Sequence, residues 1–359
     1  MSKEHAWLLR GRGSRPFLPV VGSLALAGTL TAAAPPSASR SAAAVAGSAH
    51  VIATISLGRQ LAYNVATDPL THMVYVTEPD GLAVINGRTN KLVTTIRLPG
   101  HSPQETLTDR LRNVATDPLT GRVYVTDAIQ HSVLVIDERT NKVVATIPVG
   151  GRTYWIAADP VTGMVYAQDW LRSSVQVAVI DGRTNTVVAR IPENGLYSLG
   201  ITVNPVTNTV YVANTSGGGV LVIDGRTNKI VAIVPGTGGD QSIATDPHGN
   251  TIYADIPEAD GPGSLQAIDG QTNTVTATIS STGQSIFPEG IGTDPLTHFV
   301  YAANFGGNDV IVIDGRTNQI VGFVPVGRNP NGVATDPPAN RVYVTNLFGH
   351  SVSVLAGSG

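Results

Sequence analysis

From residue 50 onward, apolar and polar positions alternate in short runs. Stretches such as "VYVTD" (123–127), "VLVID" (133–137) and "KVVATIPVG" (142–150) place Val, Ile, Thr and Tyr at every second position between clusters of turn residues. Period two is the signature of a strand with one buried face. No segment shows the helical period, which excludes a helical solenoid.

The runs recur in a fixed order. Asp or Asn precedes Pro at Asp68, Asp117, Asp159, Asn204, Asp246, Asp294 and Asp336, spaced 42 to 49 residues apart. Seven residues after each stands a tyrosine: Tyr75, Tyr124, Tyr166, Tyr211, Tyr253, Tyr301 and Tyr343. An alternating run then leads to a turn of the "DGRTN" type, present in six copies beginning at 86, 137, 181, 224, 269 and 314, and a further run closes the unit. Each unit therefore holds four strands: a ("VATDP"), b ("VYVTN"), c ("VLVID") and d ("VVATIPVG"). Asp-Pro suits the first two places of a type I turn. "DGRTN" is expected to place both Gly and Asn where a hairpin needs unusual backbone angles.

Four strands per unit of about 45 residues predicts an all-β fold, a seven-bladed β-propeller with four antiparallel strands per blade. The last unit stops after strand c, "SVSVLA" (351–356), while "HVIATISLG" (50–58) precedes the first Asp-Pro and reads as a strand d. The last blade is thus expected to be closed by the N-terminal strand, since an open ring would leave two unpaired edges. Two positions before each Asp/Asn stand Ala66, Ala115, Ala157, Thr202, Ala244, Gly292 and Ala334, all small, as a crowded axis requires.

The tetrapeptides "YVTE" (75–78), "YVTD" (124–127), "YVAN" (211–214), "YAAN" (301–304) and "YVTN" (343–346), the first four each followed by a Thr-Asn hairpin turn, resemble the YVTN-type β-propeller repeat family over about 50–356. "YAQD" (166–169) and "YADI" (253–256) depart from the pattern. The resemblance implies a secreted or cell-surface seven-bladed propeller. It implies no single activity, because related propellers include binding modules, lactonases, antibiotic lyases and enzyme domains with a bound cofactor.

The first fifty residues have a different character. Lys3, Arg10, Arg12 and Arg15 precede the apolar run "FLPVVGSLALAGTLTAAA" (17–34), and an Ala-, Ser- and Pro-rich stretch follows. That order reads as a signal peptide and small-residue leader over 1–46, cleaved between 34 and 46, with the propeller domain over 47–359. The expected product is exported, secreted or associated with the cell envelope, a monomer with no stable membrane insertion after cleavage. Without residues 1–50 the chain carries 18 basic against 25 acidic residues, a formal charge of −7. A surface of that sign repels nucleic acid. The chain has no Cys, which excludes disulfides and thiol chemistry.

Loop lengths point to one face. The a–b spacing never varies and the c–d turns barely do, whereas from the turn Asn to the next Asp/Asn-Pro the distances are 27, 18, 19, 18, 21 and 18. The variable b–c and d–a connections share one face of a propeller, and variable loops on a constant scaffold carry function. Five residues before each Asp/Asn, near the channel mouth, the side chains diverge: Tyr63, Arg112, Tyr154, Leu199, Gln241, Glu289 and Asn331. Tyr63, Arg112, Tyr154, Trp155, Gln241, Glu289 and Asn331 are the expected ligand-binding residues. Trp155, Trp170, Tyr154 and Tyr197 would suit stacking on a sugar ring or an apolar ligand.

The expected function is a binding or interaction module for a small molecule, glycan or protein. The alternatives are a small-molecule hydrolase or lyase with its site at the channel mouth, and a cell-envelope scaffold. The catalytic candidates are His101, Glu105, Glu289 and Arg112, which could serve acid–base chemistry if aimed at the channel. No cofactor is evident, and calcium or magnesium at the mouth would fit the enzyme reading. The acids and amides three residues after the tyrosines (Glu78, Asp127, Asp169, Asn214, Asn304, Asn346) are expected to cap the b–c turns.

Overall fold

A computed structural model describes residues 48–98, 113–193, 198–214, 218–237, 242–256, 263–281 and 286–359. Within them lie seven four-stranded antiparallel sheets, each in the order a-b-c-d. In blade 1 the strands are Val65–Asp68, Met73–Glu78, Gly81–Asn86 and Lys91–Arg97. Strand a of each blade touches strand a of the next, and Pro330–Asp336 of blade 7 touches Val65–Asp68 of blade 1, so the ring is complete. The fold is a seven-bladed β-propeller.

The closing strand is the one expected. His50–Ser56 lies antiparallel to Ser351–Ala356, with Thr54 opposite Ser353 and Ile55 opposite Val352. It completes a sheet otherwise made of Pro330–Asp336, Arg341–Asn346 and Ser351–Ala356.

The core is divided among the seams between blades. Seven clusters of buried apolar side chains occur, one per seam, and each is built from strands b, c and d of one blade and strands a, b and c of the next. All seven strand-b tyrosines are buried there, which pushes Tyr124, Tyr166, Tyr211, Tyr301 and Tyr343 up to about 12. Outer strands d cover alternate residues only: in Lys142–Pro148, Val143 and Ala145 are half-buried and Ile147 is buried.

The turns behave in part as their sequences suggest. The Asp/Asn side chain of six Asp-Pro turns accepts the backbone N–H groups two and three residues on, as Asp159 does from Val161 (2.9 Å) and Thr162 (3.3 Å). In the seventh, the Asp336 carboxylate instead meets the His72 ring of blade 1 at 2.7 Å.

In the c–d turns only Asn is left-handed: Asn90, Asn141, Asn185, Asn228, Asn273 and Asn318 lie at φ between 54° and 56°. The expected unusual angle at Gly is corrected, because these glycines are absent from the positive-φ residues. They are needed for close approach. A Cβ on Gly87 would stand 2.5 Å from the Tyr343 hydroxyl of the preceding blade, and one on Gly315 would stand 2.8 Å from that of Tyr253. Blade 2 has Glu138 at this place, and its carboxylate accepts the Tyr75 hydroxyl at 2.7 Å.

A chain of threonines stitches the inner wall. Thr116 donates to the Thr67 carbonyl (2.7 Å), Thr67 to that of Thr335 (2.5 Å), Thr335 to that of Thr293 (2.7 Å) and Thr293 to that of Thr245 (2.6 Å). It crosses the seam where the two ends of the chain meet. It stops at blades 3 and 4, which carry Ala158 and Val203 at this position.

Candidate functional site

Strand a runs inside the ring and ends at the Asp-Pro turn, so its beginning lies at the b–c/d–a face. In blade 3 it is long, Arg152–Asp159, against four residues in blades 1, 2, 4 and 5. Its pairing with strand b shifts between Thr153 and Ile156, forming a bulge that contains Tyr154 and Trp155. Blades 6 and 7 bulge at the equivalent place, at Glu289–Gly290 and Asn331–Gly332. A bulge re-aims side chains and is common beside functional sites.

Blade 3 fills its bulge with aromatics. Tyr154 packs edge-on to Trp170 with ring centroids 5.0 Å apart and lies 5.7 Å from Trp155. Trp155 and Trp170 stack at 6.1 Å, 27° from parallel. All three are half-buried, and Arg152 donates to the Tyr154 hydroxyl at 3.4 Å. The buried Asp169 underpins the group by accepting from the Gly151 backbone (2.6 Å), the Gln176 amide (2.7 Å) and Arg190 (3.0 Å).

Three expected residues come together through contiguous backbones in blades 6, 7 and 1. A Cβ on Gly290 would collide with the Asn331 carbonyl, and one on Gly332 would stand 3.0 Å from the Tyr63 carbonyl. That close approach requires glycine and places Glu289 and Asn331 on neighbouring inner strands, with Tyr63 just before the next. Glu289 is half-buried, and burial pushes its carboxyl up to about 7. The Tyr63 side chain is enclosed, 1% exposed, and its carbonyl accepts the Thr345 hydroxyl at 2.7 Å. His101, Glu105, Arg112, Tyr197 and Gln241 lie outside the described residues, as does the leader.

The position three after the tyrosine is more varied than capping predicts. Asp127 does cap its b–c turn, accepting from Ile129 (3.2 Å) and Gln130 (3.0 Å). Asp169 and Asn304 instead clamp the d–a connection, Asn304 accepting from the Phe287 backbone at 2.9 Å. Asn346 donates to Ser351 and Ser353. Among the described residues, no three His, Asp or Glu side chains form a metal-ligand group.

One buried group escapes a residue-by-residue reading. Glu193 is 6% exposed, and desolvation pushes its carboxyl up to about 7. A repeat alignment taken along strand d would have flagged it, because the same place holds Leu57, Leu98, Val149 and Val326 in other blades. A separate concavity of about 440 Å³ lies on the ring axis, lined by Thr67, Thr116, Thr245 and Thr335 and by prolines of the Asp-Pro turns. It therefore opens toward the a–b face.

No family model and no curated protein matches the chain, so the YVTN-type likeness rests on the repeats themselves. Among solved structures the chain is similar to one of Kuenenia stuttgartiensis hydrazine synthase, with a TM-score of 0.70 and 18% sequence identity, covering 82% of this chain and 94% of that one. At that identity the likeness is one of fold, and it agrees with the seven-bladed ring.

Proposed function

We propose that this protein is an exported binding module that takes its ligand at the b–c/d–a face, on the aromatic surface of blade 3. The observation that carries the reading is the Tyr154–Trp155–Trp170 group, set in a bulge and flanked by Arg152. Flat, half-exposed rings beside a guanidinium suit a ligand with an apolar face and polar edges, such as a sugar ring. Export is supported by the leader composition. The test is a glycan and small-molecule binding screen followed by tryptophan fluorescence titration. Trp170→Ala and Tyr154→Ala should each weaken binding at least tenfold, and unchanged affinity in both would refute the reading.

A second reading, a hydrolase or lyase, has one observation behind it: Glu289 is held near neutrality beside Asn331. A carboxyl poised near working pH suits proton transfer. Glu289→Gln should then abolish turnover of any substrate the screen identifies while leaving its binding intact.

A further inference from the structure

The seam between blades 3 and 4 holds a carboxylate where four other blades place an apolar side chain. In five blades the backbone N–H of the residue ending strand d bonds the carbonyl just before strand c or at its start. The residues are Leu57, Leu98, Val149, Glu193 and Val326, and the bonds run from 2.9 to 3.4 Å. The backbone place is the same, yet four side chains are apolar and pack into their seam clusters, while the fifth is a carboxylate.

Glu193 has company. Ser198, at the entry to strand a of blade 4, is fully buried, as is Gln168 in strand b of blade 3. Gln168 Oε1 has no hydrogen-bond partner, and the Glu193 oxygens have none beyond the nearby Ser198 hydroxyl. The Gln168 amide is oriented by its NH₂, which donates to the Gly200 carbonyl at 3.1 Å, so its oxygen is the group left over. Flipping the amide would set two carbonyls against each other. Burial favours the neutral form of Glu193, and the Ser198 hydroxyl offsets this in part by hydrogen-bonding the charged form.

With Glu193 ionised, the seam holds three acceptor oxygens and one hydroxyl, whose proton is the only one to share among them. Such a deficit of donors in a buried place is costly unless something positive fills it. Carboxylate, amide and hydroxyl oxygens are the donor set of hard cations. We propose that the blade 3–4 seam binds a small hard cation, with Glu193 as its anionic ligand and Gln168 Oε1 and Ser198 Oγ as neutral ones. Trp155 packs against the same seam, so the ion would brace the aromatic surface from behind. None of the three is among the residues assigned to ligand contact.

Terbium is a suitable probe, because its emission is sensitised by nearby tryptophan and the only tryptophans after residue 50 are Trp155 and Trp170. The full chain carrying Trp7→Phe would be titrated with terbium, competed with calcium, and melted with and without calcium, magnesium, sodium and potassium at constant ionic strength. Saturable emission displaced by one of these ions, together with a cation-raised melting temperature, supports the site. Glu193→Leu restores the residue type of the other blades and should remain folded, lose the emission and melt at the same temperature in every salt. Ser198→Ala should weaken binding by about tenfold. Equal emission in parent and Glu193→Leu, or a parent melt that responds to pH alone and to no cation, would overturn the proposal.

Discussion

Ring closure by the first strand can be probed with one methyl-rich side chain. Ile55 is 6% exposed and packs in the cluster that joins blade 7 (Tyr343, Val352, Val354) to blade 1 (Val74, Val76, Ala83, Ile85). Ile52, three residues earlier in the same strand, is 44% exposed. Replacing a buried Ile by Ala costs about 2–5 kcal/mol, through lost transfer energy and the cavity left behind. For a domain of this size the unfolding entropy is roughly 0.6 kcal/mol per degree, so a 3 kcal/mol loss lowers the melting temperature by about 5 °C. Ile52→Ala should change stability by no more than about 0.5–1 kcal/mol, or under about 2 °C. The assay is thermal unfolding by circular dichroism, with urea unfolding as a check on reversibility. Equal shifts for Ile55→Ala and Ile52→Ala, or a parent-like melt after deletion of residues 51–57, would refute closure by this strand. Because the strand pairs across some three hundred residues of chain, the loss should appear as lower cooperativity of the whole ring as well as a lower midpoint.

Other consequences follow from the inter-blade contacts. Gly182→Ala puts a methyl into the Tyr124 hydroxyl and within 3.0 Å of the Gly163 carbonyl, so urea unfolding should show a loss of about 1–3 kcal/mol. Gly322→Ala meets nothing within 4 Å and should gain about 0.4–1 kcal/mol. Thr335→Val removes a donor to the Thr293 carbonyl and should cost about 1 kcal/mol, whereas the Thr245 hydroxyl has no partner and Thr245→Val should be neutral or stabilising. Glu289 titrates at about 7 in the fold against 4.5 unfolded, so the fold favours its neutral form. Its contribution is full below pH 4.5, declines as pH rises through 7 and is then lost. Glu289→Gln should therefore flatten the stability–pH profile over that window, by at most about 3 kcal/mol, and a profile unchanged from the parent would contradict the burial of this carboxyl.

The blade plan was legible in the chain because each blade is a local object. Period-two alternation, Asp-Pro turns and Thr-Asn hairpins all act over a few residues, and sevenfold repetition averages out the exceptions. The leftover strand at 50–56 had one place to go, because a strand d was missing from the last unit. Tertiary structure alone decided whatever passes between blades. Glycine in the c–d turn is demanded not by its own backbone angles but by close neighbours, a tyrosine hydroxyl of the preceding blade at Gly87, Gly182 and Gly315. The threonine chain along the inner wall and the buried carboxylate of Glu193 arise where two blades meet, and the bulges that carry Tyr154, Glu289 and Asn331 arise in the pairing of strands a and b. The threonine and tyrosine partners of neighbouring blades lie some 40 residues or more apart in the chain, so no local rule of spacing could pair them; only the packing of blade on blade sets those contacts.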